Sequence, residues 1–141
     1  MIKYSFLLLI SLLLFVRCSD SSQFDYYNKE LTSSRGEKIY VKTIIWGMTG
    51  DYQKTIITKK EGKPEESDFS NLKDDTGLTS FMYSFTNDTL NLYFNQTITY
   101  KVEETFNTIF VKYHILSNPE YNNLIPFALR EQGYYIIPPY K

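Results

Sequence analysis

Few side chains in this 141-residue sequence could take part in covalent or acid–base chemistry. There is one histidine, His114, and one cysteine, Cys18. His114 lies in a predicted strand on the same face as Phe110 and Lys112, and we expect that face to point to solvent. Nucleophilic catalysis would need a nucleophile and an orienting carboxylate beside the histidine. Because no motif such as Gly-x-Ser-x-Gly supplies them, we predict a surface histidine without a catalytic role.

Acidic side chains concentrate in one polar segment, residues 64–77. Asp68, Asp74 and Asp75 offer oxygen atoms of the kind that Ca²⁺ binds, but their spacing matches no calcium-binding loop. Paired carboxylates also hydrolyse glycosidic bonds, and nothing in this segment fixes the distance between two of them. We therefore predict a solvated loop without a metal or cofactor, in a protein that is not an enzyme.

The charge balance disfavours nucleic acid as a partner. The chain has 15 Lys and Arg against 16 Asp and Glu, and both signs are dispersed along it. A nucleic-acid-binding protein would need a basic stripe or tail to hold phosphates. A single cysteine excludes an intrachain disulfide, and the usual zinc-ligand spacings are absent.

The N-terminal residues have the pattern of an export signal. Lys3 precedes an apolar run over residues 6–16, which only Ser11 interrupts. A helix of that length rises about 16 Å, roughly half the hydrocarbon core of a bilayer. The run is therefore too short to span a membrane, and its length is typical of the apolar region of a signal peptide.

Cys18 lies two residues after this apolar run, in the string Leu14-Phe15-Val16-Arg17-Cys18, which Ser19-Asp20-Ser21-Ser22 follows. Residues 1–22 resemble the signal sequence of a bacterial lipoprotein, of the kind found in Bacteroidota. The family usually has Gly, Ala or Ser immediately before the cysteine, and this chain has Arg17. The resemblance does not extend into the remaining residues.

The lipoprotein resemblance implies a membrane anchor. Residues 1–17 would be removed as a signal peptide, and the new N-terminal Cys18 would carry acyl chains such as palmitate. Each buried methylene contributes about 0.8 kcal/mol, so two or three acyl chains suffice for stable attachment. Ser19 in place of Asp implies sorting to the outer membrane, where the domain would face the periplasm or the cell surface.

After the signal peptide, the sequence predicts a tether and then one β-domain. Residues 18–36 are mostly polar, and we expect an acylated N-terminus followed by a flexible tether. Phe24, Tyr26 and Tyr27 leave open the alternative that part of this segment forms an edge strand. The domain itself is predicted over residues 37–141.

Alternating β-branched and aromatic residues from position 37 onwards predict about seven strands. The predicted strands cover residues 37–46, 52–60, 80–86, 89–94, 97–103, 108–116 and 134–137. The Asn87-Asp88 pair predicts a tight hairpin turn, and the strand over 97–103 would complete a three-stranded meander. A short helical turn is expected around residues 127–130. This pattern favours a small all-β antiparallel β-sandwich, with a small β-barrel as the alternative.

Aromatic residues make up 17% of the chain, with 13 Tyr and 10 Phe. We expect several rings on outward strand faces, where they could stack against a sugar or a partner protein. The candidate binding residues are Tyr40, Trp46, Tyr93, Phe110, Tyr134 and Tyr135. The alternative is that these rings enlarge the thin core of a small domain that has no disulfide.

Two functional hypotheses follow from these patterns. The first is an outer-membrane lipoprotein whose non-catalytic β-domain binds an envelope protein or a glycan. The second is a small inhibitor or immunity-type lipoprotein that inserts the loop over residues 64–77 into the active site of a hydrolase. An enzyme is a distant third, since no catalytic motif is present.

Overall fold

The computed structural model describes residues 24–47, 52–69 and 80–139. These residues form an all-β sandwich, which confirms the predicted fold class. The strands are β1 (Asp25–Thr32), β2 (Lys38–Trp46), β3 (Tyr52–Thr58), β4 (Phe81–Thr86), β5 (Thr89–Asn95), β6 (Phe110–Leu116) and β7 (Tyr135–Ile137). A 3₁₀ turn spans Glu66–Phe69, and one helix, α1, spans Asn118–Leu129.

The described strands form two separate sheets, in place of the closed barrel that was the alternative. The first sheet has the antiparallel order β1-β2-β3. The second has the order β6-β5-β4-β7, in which β5 and β6 are parallel and the other pairs are antiparallel. The sandwich is therefore mixed rather than wholly antiparallel.

The main core lies between the two sheets. Ile39, Val41 and Ile57 face inwards from the first sheet, and Tyr83 and Leu92 face them from the second. All five side chains are buried because alternate residues of each strand point to the same side. This alternation was visible in the sequence, and it accounts for the success of the fold-class prediction.

β1 begins within the segment that was expected to be a tether. It pairs with β2 along its whole length, from Asp25 opposite Ile45 to Thr32 opposite Lys38. The alternative of an edge strand is therefore correct, and the folded domain begins no later than Asp25. The polar residues of this strand are tolerated because only one of its faces is turned to the core.

The predicted hairpin between β4 and β5 is confirmed. Asn87 and Asp88 have φ angles of 50° and 55°, as a two-residue type I′ turn requires. The Asp88 carboxylate also accepts a hydrogen bond from the Ser34 backbone N–H at 2.6 Å. The hairpin tip is thereby attached to the turn between β1 and β2 in the other sheet.

The strand predicted over residues 97–103 is wrong, and so is the meander. Residues 96–109 instead cross over from β5 to the parallel strand β6. The alternating apolar residues of this segment do not form a strand. Tyr100 and Val102 pack against the core without joining a sheet. The Tyr100 hydroxyl accepts a hydrogen bond from the Ile57 N–H at 2.8 Å, which covers the outer edge of β3.

The helix is longer than the short turn that the sequence analysis predicted. Its start is set by Ser117 and Glu120: the Glu120 carboxylate accepts hydrogen bonds from the Ser117 N–H at 2.9 Å and the Ser117 hydroxyl at 2.6 Å. Pro119 lies in the first turn, where the missing N–H costs nothing. Ser-x-x-Glu followed by apolar residues is a recognisable helix start.

A buried ion pair fixes residues 65–69 onto the outer face of the first sheet. The Lys42 ammonium and the Asp68 carboxylate are 3.4 Å apart, with side chains 0% and 3% exposed. Asp68 also accepts hydrogen bonds from Lys60 at 2.5 Å and from the Glu65 N–H at 3.1 Å. The prediction that Asp68 belongs to a solvated loop is therefore wrong, because its carboxylate is buried and forms an ion pair with a buried lysine.

We expect Asp68→Asn to destabilise the fold by about 3 kcal/mol, because it leaves the buried Lys42 ammonium without a counter-charge. Urea unfolding followed by the fluorescence of Trp46 measures the loss. Glu65→Gln is the matched control: its carboxylate lies 3.6 Å from Lys60 but is 67% exposed. Exposed pairs contribute little, so an equal loss in the two variants would contradict this account.

The same carboxylate gives the unfolding free energy a defined pH dependence. Burial favours its neutral form, but the hydrogen bonds from Lys60 and the Glu65 N–H, together with the charge of Lys42, outweigh burial. The pKa of Asp68 is therefore lower than its ordinary value of 3.8. The contribution is complete above about pH 4 and is lost as pH falls through the folded-state pKa. Asp68→Asn should consequently lose less stability than wild type on acidification.

Candidate functional site

The candidate site lies on the face of the second sheet that points away from the core. Helix α1 crosses one end of this face and buries Met82 and Ile136 beneath Tyr121 and Ala128. Beyond the helix the face carries side chains that are exposed or half-buried. We call this surface the open face; it comprises Asn91, Tyr93, Phe110, Lys112, His114 and Tyr134, with Phe127 of α1 at its rim.

Strand register brings the open face together. β5 and β6 are parallel, with Asn91 opposite Lys112 and Tyr93 opposite His114. Paired residues in neighbouring strands point to the same side of a sheet, so these four side chains share one face. Tyr134 joins them from the residue that precedes β7, at the other edge of the sheet.

Four rings form a continuous row across the open face. The His114 ring stacks on the Tyr93 ring, with centroids 4.9 Å apart and planes inclined by 19°. Tyr93 contacts Tyr134 at 5.6 Å, and Tyr134 contacts Phe127 at 6.3 Å. We call His114, Tyr93, Tyr134 and Phe127 the aromatic row. It joins side chains of β6, β5, α1 and the residue before β7 in one surface.

Hydrogen bonds hold the middle of the aromatic row in place. The Tyr93 hydroxyl is 3.1 Å from the Ser84 hydroxyl, which lies buried in β4 beneath the row. The His114 Nε2 atom is 3.0 Å from the Asn91 Oδ1 atom. If the amide oxygen accepts from that nitrogen, the other ring nitrogen, Nδ1, is left as an acceptor for a ligand.

The Tyr93 hydroxyl acts as a neutral hydrogen-bonding group. Burial raises the pKa of Tyr93, and the hydrogen bond with Ser84 only partly opposes this shift. The phenol therefore stays protonated at neutral pH and can both donate and accept. The residues of the open face include no carboxylate, and the partner of His114 is an amide rather than an acid. Such an arrangement suits binding by stacking and hydrogen bonding.

Three of the six predicted binding residues, Tyr93, Phe110 and Tyr134, lie together on the open face. Phe110 is 68% exposed, the largest exposure among the described large hydrophobic residues. Its ring is on the same face as Lys112 and His114, as the strand periodicity predicted.

The expectation that Tyr40 presents an exposed ring is wrong. It lies on the outer face of β2, as expected, but only 4% of it is exposed. On the same face the segment that carries Asp68 covers Lys42, and period-two alternation alone could not reveal that this face is buried. Burial raises the pKa of Tyr40, and the neighbouring Glu30 adds to the shift.

Trp46 and Tyr135 lie away from the open face. Trp46 is half-buried at the end of β2 and stacks on Tyr52 with ring centroids 5.8 Å apart. The further residues of its glycine-containing turn, 48–51, lie outside the described residues. Tyr135 points to the core side of β7, where it stacks on Tyr83 at 5.0 Å and lies 4.7 Å from the Lys29 ammonium.

A smaller cleft lies beside Tyr135, between β1 and the C-terminal end of α1. Its cavity volume is about 50 Å³, and its lining includes Tyr27, Glu131 and Tyr135. The Tyr27 hydroxyl is 2.9 Å from the Tyr83 hydroxyl, so the polar group at this position already has a protein partner. The Tyr135 ring is already in contact with Tyr83 and with the Lys29 ammonium, and we regard this cleft as the weaker candidate.

The sequence analysis missed His114, Asn91 and Phe127 as members of the site. His114 was predicted to be a surface residue, and its exposure is intermediate. Its stacking on Tyr93 depends on the parallel pairing of β5 with β6, which a meander does not have. The available signal was the strand periodicity, which places His114 on the face of Phe110.

Several sequence-based predictions fall outside the described residues. Cys18, Asp74 and Asp75 are among them. Within residues 24–47, 52–69 and 80–139, no three His, Cys, Asp or Glu side chains come together as a metal site would require. No helix in this described part has the length and apolar character needed to cross a membrane.

Comparison with known proteins gives no relative from which a function could be transferred. The chain matches no protein-family model and shows no significant similarity to a curated protein or to a solved structure.

Proposed function

We propose that this chain is a lipid-anchored binding protein of the bacterial outer membrane and that its open face binds an envelope glycan without catalysis. The aromatic row is the observation that carries the binding function. The lipoprotein-like string that ends at Cys18 supports the location. The two supports are independent, because the anchor and the binding face occupy different parts of the chain.

The chemistry of the open face matches that of a sugar. Binding sites combine apolar and aromatic surface with a few polar groups that fix orientation. The rings of Tyr134 and Phe127 offer apolar surface to the C–H faces of a sugar ring, and Phe127 is 47% exposed. Lys112, Asn91 and the tyrosine hydroxyls supply donors and acceptors for sugar hydroxyl groups.

An extended glycan fits this surface better than a compact small molecule does. The aromatic row runs from β6 to α1 across the width of the sheet, and it is a face rather than an enclosed cavity. A chain of linked sugars could contact successive rings, so that several weak contacts add up. The exposed Lys112 favours glycans that carry carboxylate or phosphate groups, such as those common in bacterial envelopes.

The inhibitor hypothesis has less support. It requires a protruding loop over residues 64–77, whereas Phe69 is 2% exposed and Asp68 is held by Lys42 and Lys60. The described part of that segment is thus packed against the first sheet. Removing residues 70–77 tests the hypothesis: an inhibitor would lose its target, and a protein that binds through the open face would keep its ligand.

The test of the proposed function is a binding screen with the mature lipidated protein in detergent micelles. The panel contains peptidoglycan fragments, lipopolysaccharide core oligosaccharides and capsular polysaccharides, and titration calorimetry measures each dissociation constant. We expect at least one of these envelope glycans to bind at micromolar to low millimolar concentration. Absence of binding across the panel at 10 mM sugar, about the weakest affinity a specific contact would give, would contradict the proposal.

A further inference from the structure

The outer edge of β6 has the properties of an edge strand that can pair with a further strand. β6 lies at the end of the second sheet and pairs only with β5 among the described strands. Natural edge strands are usually protected by charges, proline, bulges or covering loops. β6 has the sequence Phe-Val-Lys-Tyr-His-Ile-Leu, in which Lys112 is the one residue with a permanent charge.

The other three sheet edges carry such protection. β1 carries three charged residues, Asp25, Lys29 and Glu30. The edge of β3 is covered by the Tyr100 hydroxyl at Ile57 and by the Glu104 carboxylate, which accepts from the Lys59 N–H at 3.0 Å. β7 has three residues and ends at Pro138. Among the edges of the described sheets, the edge of β6 therefore has the least protection against pairing with another strand.

The hydrogen-bonding pattern shows which backbone groups of β6 point outwards. The Phe110 N–H donates to the Asp88 carbonyl at 2.9 Å, and the Leu116 carbonyl accepts from the Gln96 N–H at 3.0 Å. In a parallel ladder the residues bonded to the neighbouring strand alternate. The N–H and C=O groups of Val111, Tyr113 and Ile115 therefore point away from β5, and none has a partner among the described residues.

Exposed apolar side chains accompany these backbone groups. On the core side of β6, Tyr113 is 38% exposed and Ile115 is 58% exposed. On the open face, Phe110 is 68% exposed. Apolar exposure on both faces of an edge strand is costly in water, and a further strand would cover it.

We propose that β6 pairs antiparallel with β6 of a second copy of this chain, about a two-fold axis at Tyr113. In this register Val111 lies opposite Ile115 of the second copy, and Tyr113 lies opposite its own equivalent. Each of these is a pair of outward-pointing residues, so each forms two backbone hydrogen bonds. The open backbone groups of the three residues are thereby satisfied.

Side-chain chemistry favours a second copy over an unrelated strand. On the core side the register places apolar Val111 against Ile115 and ring against ring at Tyr113. On the other side it places Phe110 against Leu116 and Lys112 against His114, so no two permanent charges of like sign face each other. Cross-strand aromatic and β-branched pairs stabilise a sheet, and a two-fold contact between identical strands closes without further growth.

The dimer would enlarge the proposed binding surface. Paired residues of neighbouring strands point to the same side, so the open faces of the two copies would adjoin on one continuous sheet. An extended ligand could then contact both copies, and the second contact would be intramolecular and correspondingly favourable. The dimer rests on the edge of β6 and not on glycan binding, so either proposal can fail without the other.

Cysteine cross-linking of the full chain in intact cells tests the register. Tyr113→Cys places two sulfur-bearing residues opposite each other, with Cα atoms about 5.5 Å apart, within disulfide reach. Ile115→Cys places its two copies roughly 14 Å apart, beyond that reach. Wild type, whose one cysteine is Cys18, gives the background.

We expect a disulfide-linked dimer with Tyr113→Cys and none with Ile115→Cys or wild type after mild oxidation. The double variant Val111→Cys with Ile115→Cys should also cross-link, and it retains Tyr113 if loss of that ring impairs folding. Equal cross-linking of Tyr113→Cys and Ile115→Cys would overturn the proposal. So would the absence of a dimer in both Tyr113→Cys and the double variant. A cross-linked band whose mass matches a different protein would overturn it as well.

Sedimentation of the mature protein in density-matched detergent gives an independent measurement. Val111→Pro removes one outward N–H without touching the ladder to β5, since proline is tolerated where an edge N–H faces solvent. We expect wild type to sediment with the mass of a dimer and Val111→Pro with the mass of a monomer. A wild-type protein that remains monomeric at about 100 µM, where a contact with a micromolar dissociation constant would be formed, would contradict the proposal.

Discussion

Replacing Tyr134 with alanine is expected to weaken glycan binding at least tenfold, about 1.4 kcal/mol, with little change in the fold. Tyr134 contacts both Tyr93 and Phe127, so its removal interrupts the aromatic row at its centre. A few aromatic anchors generally dominate the binding energy of a surface. Titration calorimetry with the best glycan from the panel measures the loss.

Two further variants separate stacking from hydrogen bonding and from general effects on the protein. Tyr134→Phe keeps the ring and should retain most of the affinity. Tyr26→Ala removes a ring that is 54% exposed on the first sheet, away from the open face, and should leave affinity unchanged. If Tyr26→Ala weakens binding as much as Tyr134→Ala does, the open face is not the binding surface.

Replacing Cys18 with alanine is expected to abolish attachment to the outer membrane. The resemblance to lipoprotein signals makes the thiol of Cys18 the point of acylation, and the sequence contains no second cysteine. Without acyl chains the anchoring energy of about 0.8 kcal/mol for each buried methylene is lost. Metabolic labelling with a clickable palmitate analogue in a Bacteroidota host should mark wild type and not Cys18→Ala.

A second variant tests the unusual residue before the cleavage point. Arg17→Ala restores the small side chain that the lipoprotein family usually has there. If Arg17 slows processing, this variant should accumulate as mature protein faster than wild type while incorporating the same label. Failure of wild type to incorporate palmitate would contradict the anchor, and the domain would then have another route of retention or release.

The strands that the sequence predicted best are those whose partners are near in the chain. β4 and β5 were recognised from their alternation and from the Asn87-Asp88 turn, because a hairpin needs only local information. β2 and β3 were found from β-branched residues in period two. Each of these signals lies within a few residues of the structure that it specifies.

The predictions that failed depended on contacts between distant residues. The alternation over 97–103 is real, but those side chains pack on the core while the edge of β5 pairs with β6. Tyr40 lies on the outward face of β2 as predicted, but that face is buried, and at Lys42 it is covered by the segment carrying Asp68. Period two gives the side of a sheet to which a residue points and does not show what lies above it.

The sequence predicts only part of the candidate site, because the rest depends on contacts between distant residues. Tyr93, Phe110 and Tyr134 were singled out because they are aromatic and alternate with buried residues. His114 and Phe127 complete the row only through the parallel strand β6 and the helix that follows it. The helix start at Ser117 and Glu120 is a missed feature that local sequence could have supplied.

The most direct test of the account is the nuclear magnetic resonance signal of the single histidine. His114 stacks on Tyr93 in the aromatic row, so its ring protons report on that surface without assignment of the other resonances. Titration of the mature protein with the envelope glycans should shift these signals in a saturable manner, with the midpoint that calorimetry gives. Glycan binding that leaves the His114 signals unmoved would contradict the assignment of the open face as the binding site.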